Sequence, residues 1–269
     1  MNKKLFFVTI AFFVYTIWWL TLQFGVQDES LLRDYFADSY GVLAGIGGIY
    51  GLIISAKYSG FKSKVGKSII FFSAGLLSQC FGQLYYSAIY YVYGLENAYP
   101  SYGEVFYLAT IPFYIYAIIL MAQASGATFS LKNMGNKLWA VAFPIFMLCT
   151  SYFFFLKEYD FEGVPFINAF LDFFYPLGQA LFVSLALLTL FLVKDLLGGV
   201  MKTKVVLILI SLVFQYAADS TFIYENSNEI WMPGGLSDLL FVISYFVMTI
   251  ALIKFETVFE DIKKTNLTS

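Results

Sequence analysis

The sequence predicts an all-α, polytopic membrane protein: a bundle of eight transmembrane helices. Three observations predict it. Of 269 residues 60% are apolar and 13% are charged, with 31 Phe and 21 Tyr, more than a water-facing surface can hide. Mostly apolar runs of about 20 residues recur along the chain, the length that crosses hydrocarbon as a helix. The 16 basic residues, all but Arg33 and Lys157, collect between alternate runs, which predicts that those ends and both termini are cytoplasmic. A barrel would need short alternating strands, a period these runs lack.

The first run, residues 4–26, opens on "MNKKLFFVTIAFFVYTIWWL". Its start resembles a signal peptide, but the apolar stretch is too long and no small-residue cleavage site follows, so it is expected to be an anchor. The second, 40–60, carries Gly41 with Gly45 and Gly47 with Gly51, small-xxx-small pairs that let another backbone approach closely. The third, 68–93, bears Gln79 and Gln83 and ends in "LYYSAIYYVYG", an expected aromatic belt. The fourth, 104–124, begins at "SYGE", where Ser101 and Glu104 form a capping box. The fifth and sixth span 138–156 and 168–193, with Asp172 near the start of the latter. The seventh, 204–224, holds Ser211, Gln215 and Asp219 at intervals of four, hence on one face. The eighth, 235–255, has Asp238 in its first turn. Cys80 and Cys149 fall inside runs and are expected to act as small apolar fillers. Lys57, Lys194 and Lys254 sit at cytoplasmic ends, where their stems can snorkel.

Asp219 stands five residues before Tyr224, about 8 Å from the expected outer end of its helix. A carboxylate placed centrally in a membrane helix costs roughly 3 kcal/mol on insertion scales, so such groups face the protein interior or a hydrated cavity. The plainer alternative is an interhelical hydrogen-bond clamp with no ligand. For Glu104, Asp38, Asp172 and Asp238 the plain alternative is stronger, since each can cap a helix or face its positive end near the outer interface.

The chain also matches itself. At an offset of 134, Phe36, Asp38 and Leu43 fall on Phe170, Asp172 and Leu177, Thr16 on Thr150, and Glu104 on Asp238. With a gap of two, Gln79 falls on Gln215 and Gln83 on Asp219. This predicts a parallel duplication: residues 1–134 and 135–256 as two four-helix repeats, followed by a short cytoplasmic tail, 257–269. Such repeats place binding sites between the copies. The candidate ligand-binding residues are therefore Asp219, Gln215, Gln83, Gln79, Glu104, Asp238 and Asp172.

With no histidine, there is no His-ligated haem, no His-containing zinc site and no imidazole base. No glycine-rich phosphate loop, paired-cysteine motif or nucleophile elbow occurs. No enzyme activity or cofactor is expected. Net charge is −2 and no basic arm exists, so nucleic acid is not an expected partner.

Pro100, Ser101, Tyr107, Leu108 and Pro112, then Asp172, Tyr175, Pro176, Leu177 and Gly178, carry a resemblance. The chain resembles polytopic membrane sensor modules fused in front of bacterial diguanylate cyclase, phosphodiesterase and histidine kinase domains. Glu104 and Gln179 stand where that family has Asp, and "GGLSD" at 234–238 approximates a third motif. The resemblance implies a sensory module in the cell membrane. With residues 257–269 alone after the last run, it is expected to signal through a separate partner protein. Expected contacts are membrane lipids and a small ligand, ion or lipid group in an outward-facing polar pocket. A proton- or Na⁺-coupled transporter and a non-catalytic assembly partner are the alternatives.

Overall fold

The computed structural model describes residues 3–25, 30–94, 99–125, 134–153, 157, 159, 162–193 and 199–268. Among these the chain is helical: α1 (Lys3–Gly25), α2 (Leu31–Ser39), α3 (Gly41–Lys57), α4 (Lys64–Tyr93), α5 (Glu104–Ala124), α6 (Met134–Ser151), α7 (Phe166–Val193), α8 (Gly199–Ser227) and α9 (Leu236–Thr268), with a 3-10 turn at Gly60–Lys62. Seven helical spans in the described residues are long and apolar enough to cross a membrane, and Leu138–Ser151 in α6 is a shorter apolar segment.

The second span differs from its expected limits. It starts at Leu31 rather than 40, because Ser30 caps α2 by accepting from the Leu32 amide, and Tyr40 keeps helical φ and ψ at the junction with α3. Asp38 therefore lies at the end of α2, not in a first turn, and accepts from Ser87 Oγ at 2.6 Å. At the other end of α9, the helix continues beyond the expected tail boundary at 257 to Thr268.

Six helices close a ring in the order α3, α4, α5, α7, α8, α9 and back to α3. α1 lies outside against α9 and α2, and α6 lies outside against α7. The glycines of α3 explain how tightly the ring closes at that helix. A Cβ on Gly48 would stand 2.6 Å from Leu77 of α4, and one on Gly47 would meet Leu76 of α4 and Thr249 of α9. A Cβ on Gly45 would stand 2.9 Å from the Cys80 sulfur, so this thiol fills a packing space. The small residues thus serve two neighbours at once.

The outer faces are apolar. Ile17 is 62% exposed and Phe24 87%, and Val8 and Leu22 are the buried residues of α1. Each such side chain in water forgoes roughly 2 kcal/mol of transfer energy, whereas acyl chains solvate it. α1 is held instead by directed contacts: Phe12 stacks on Phe246 of α9 at 4.0 Å, and Trp19 and Gln23 donate to the Gly235 and Gly234 carbonyls, both at 2.9 Å.

The two ends of the bundle differ chemically. At one, Lys4 of α1 and Lys57 of α3 both reach Glu256 of α9, at 2.9 and 2.6 Å. Lys57 is thus paired rather than simply snorkelling. Lys132 and Lys194 lie outside the described residues, as do the side chains of Lys137, Lys202, Lys263 and Lys264. At the opposite end α4 stops at Gly94 (φ +62), and the acidic residues singled out above gather.

Candidate functional site

A cavity of about 1150 Å³ opens at this second end, inside the ring. Gln79, Gln83, Glu104, Asp172, Asp219 and Asp238 all line it. Gln215, 1% exposed, stands behind the wall instead of in it.

The floor is built where α4, α5, α8 and α9 meet. Gln79, about 20 Å along α4 from its end at Tyr93, donates to Thr110 Oγ1 of α5 at 3.2 Å and accepts from the Tyr245 hydroxyl of α9 at 3.0 Å. One residue earlier on α9, Ser244 donates to Gln215 Oε1 at 3.1 Å. Gln215 passes this on, its Nε2 donating to Asp219 Oδ2 at 2.8 Å. Gln179 of α7 donates to the same carboxylate. Ser211 completes the stripe by donating to the Ser244 carbonyl at 2.9 Å. Because α8 runs on to Ser227, Asp219 sits about 12 Å from its end, deeper than the sequence suggests.

The wall above is a belt of tyrosines aimed at carboxylates. Glu104 accepts from Tyr86 of α4 and Tyr175 of α7, one phenol on each oxygen. The expected capping box is therefore not formed. Ser101 Oγ accepts from the Gly103 amide at 3.2 Å, no side chain caps α5, and Glu104 turns inward. Asp238 does act as a cap, accepting the Gly234 amide at 2.7 Å, and it also takes a hydrogen bond from Tyr40. Asp172 lies in the second turn of α7 and accepts from Tyr99 and Tyr159, each at 2.8 Å. Tyr107 closes over Gln83 with its hydroxyl at 3.5 Å.

Tyr99 and Tyr159 lie in the connecting segments at the mouth. Burial, then the Asp172 charge, holds the Tyr99 phenol well above its usual range; burial, then the bond to Asp172, pushes Tyr159 up to about 12. Both phenols are thus donors at any physiological pH.

Sequence reasoning found the acids and amides and missed Tyr86, Tyr99, Tyr107, Tyr175 and Gln179 as their partners. The available signal was periodic: Tyr86 follows Gln79 and Gln83 at seven and three residues, on the same face of α4. Among the described residues no three His, Cys, Asp or Glu side chains come together to hold a metal ion. Cys80 and Cys149 are free thiols, on α4 and α6. No family model, curated protein or solved structure matches the chain.

Proposed function

We propose that the protein is a receptor-like sensory module of the cell membrane that binds a small ligand in this chamber, from the outer side, and passes its state to a separate partner protein. The observation that carries the reading is the chamber itself, 1150 Å³ of space bordered by amides and carboxylates at the level of apolar spans. Placing several polar groups there is costly, and intramembrane carboxylates mark functional sites by default. A clamp alone would bring the same groups into contact and leave no room between them.

The same reading takes residues 1–134 and 135–256 as two copies of one four-helix unit, with both termini cytoplasmic. Hydrogen bonds support it at the level of single atoms. Thr110 bonds Gln79 and the Gly75 carbonyl, while Ser244 bonds Gln215 and the Ser211 carbonyl. Offsets of 136 and 134 carry the first set onto the second. Likewise Tyr175 of α7 reaches across to Glu104 of α5, and Tyr40, at the start of α3, reaches across to Asp238 of α9. The ring order agrees, since α3, α4, α5 and then α7, α8, α9 succeed one another. The resemblance to bacterial sensor modules points the same way, and the helical continuation of α9 to Thr268 gives a physical route to a partner.

The test is thermal unfolding of detergent-purified protein against a panel of small solutes, with Asp219→Asn in parallel. A receptor gives a solute-dependent rise in Tm that Asp219→Asn abolishes. Uptake into proteoliposomes driven by a proton or Na⁺ gradient would assign it to the transporters instead. A panel in which wild type and Asp219→Asn respond identically would end the ligand role of this carboxylate.

A further inference from the structure

We infer that the chamber takes an elongated organic cation carrying more than one ammonium group, of the aliphatic polyamine class; this rests on the reading of the chamber as a ligand site. The lining is one-sided in charge. Asp34, Asp38, Glu104, Asp172, Asp219 and Asp238 border it, against one described cation, Lys157. No ion pair is described for any of these carboxylates, and Lys4 and Lys57 are engaged by Glu256 at the other end of the bundle. Their partners are phenols, amides, a serine and a backbone N–H, which orient a carboxylate without neutralising it. An anion entering here meets six carboxyl groups and a single described cation.

The charges are spread along the chamber rather than focused at a point. Glu104 lies within electrostatic reach of both Asp172 and Asp219, and Asp38 of both Asp34 and Asp238. These form two runs: Asp172, Glu104 and Asp219 lead down to the floor, and Asp34, Asp38 and Asp238 follow the upper wall. No metal-holding cluster forms among the described residues, and a small monocation would occupy a minor part of 1150 Å³. A chain with several ammonium groups can meet one carboxylate after another.

An independent observation comes from behind Asp219. Gln179, 3% exposed, donates its amide nitrogen to Asp219 while its Oε1 has no partner. The amide thus holds the Asp219 carboxylate in place from outside the chamber lining. An ammonium offers three donors and no acceptor, which suits the Asp219 carboxylate at the chamber wall. The aromatic walls suit the methylene chain between ammonium groups: Tyr86 stacks on Tyr107 at 6.0 Å and Tyr40 on Phe241 at 5.9 Å. Their ring faces also attract cations.

The test uses the full chain in detergent, with titration calorimetry and thermal unfolding against spermidine, putrescine, choline and MgCl₂ at matched ionic strength. The expected order is spermidine tightest, then putrescine, with choline at least tenfold weaker than spermidine and Mg²⁺ not displacing it. Asp219→Asn and Glu104→Gln each weaken spermidine at least tenfold. Should either fail to fold, Asp34→Asn at the mouth weakens it about threefold. Choline binding as tightly as spermidine, Mg²⁺ displacing spermidine, or no binding at all overturns the polyamine assignment. If a neutral solute then raises Tm in an Asp219-dependent way, the receptor reading stands without the polyamine; if no solute does and an ion gradient drives uptake, both fall.

Discussion

Glu104 shows what one misplaced charge can organise. It opens α5, where a helix start would favour it, yet it turns away from the backbone to gather phenols from α4 and α7. Hydrogen bonds to a charged group contribute roughly 1.5–3 kcal/mol, so Glu104→Gln, which keeps the shape and removes the charge, should lower stability by about 2 kcal/mol in thermal unfolding. Tyr86→Phe and Tyr175→Phe should each cost about 2 kcal/mol and show no coupling to one another in the Glu104→Gln background. At the mouth, Tyr159 makes a pH-dependent prediction. A phenol raised from its usual 10 to about 12 stabilises the fold fully below pH 10 and loses that contribution as pH climbs towards 12. Tyr159→Phe should therefore be less stable than wild type by about 1 kcal/mol at pH 8, and the gap should close between pH 10 and 12. At this scale the sequence was legible where a residue contradicts its surroundings. Asp219, Gln215, Gln79 and Gln83 stand out in apolar runs because burying them is costly. The tyrosines did not, because an aromatic belt at a membrane interface is expected whether or not it surrounds a site.

Among the helices, α3 is the most constrained, with α4 on one side and α9 on another, and glycines turned to both. Gly48→Leu should pry α3 from α4, because the new side chain would start 2.6 Å from Leu77 and has no free space to enter. Overpacking of this kind costs about 1–3 kcal/mol, read as a lower Tm and faster loss of the folded fraction in mild detergent. Gly25→Ala, at the end of α1, has nothing within 4 Å and serves as the neutral control. The helices were legible from length and apolarity, since only a segment satisfying its own backbone can cross lipid. Their boundaries were less so. α2 was passed over because Arg33, Asp34 and Asp38 break its apolar pattern, and in the folded chain Arg33 is buried, donating to the Leu22 carbonyl at 2.7 Å. The capping box at Ser101 failed for a related reason: a local motif offered Glu104 a partner, and two phenols from distant helices outcompeted it.

For the whole molecule the open quantity is direction. A basic end carrying Lys4 and Lys57, and an acidic end carrying the chamber, define an axis, and the bias of Lys and Arg towards cytoplasmic loops gives that axis a sign. If the chamber faces outward, a ligand reaches Asp219 without crossing the bilayer, and Glu256 with its two lysines meets the cytoplasm, where α9 continues to Thr268. If the axis is inverted, the same chamber would sample the cell interior, and a sensor of external conditions is untenable. Labelling intact cells with a membrane-impermeant maleimide separates the two. Cys80 and Cys149 are replaced by alanine, and single cysteines are placed at Asn228, on the chamber rim, and at Ser59, in the turn between α3 and α4. The expected outcome is labelling of Asn228→Cys in intact cells and of Ser59→Cys after permeabilisation alone. The reverse pattern would invert the topology. If spermidine is then added before the maleimide, protection of Asn228→Cys but not of Ser59→Cys would tie the open end of the ring to the ligand in one measurement.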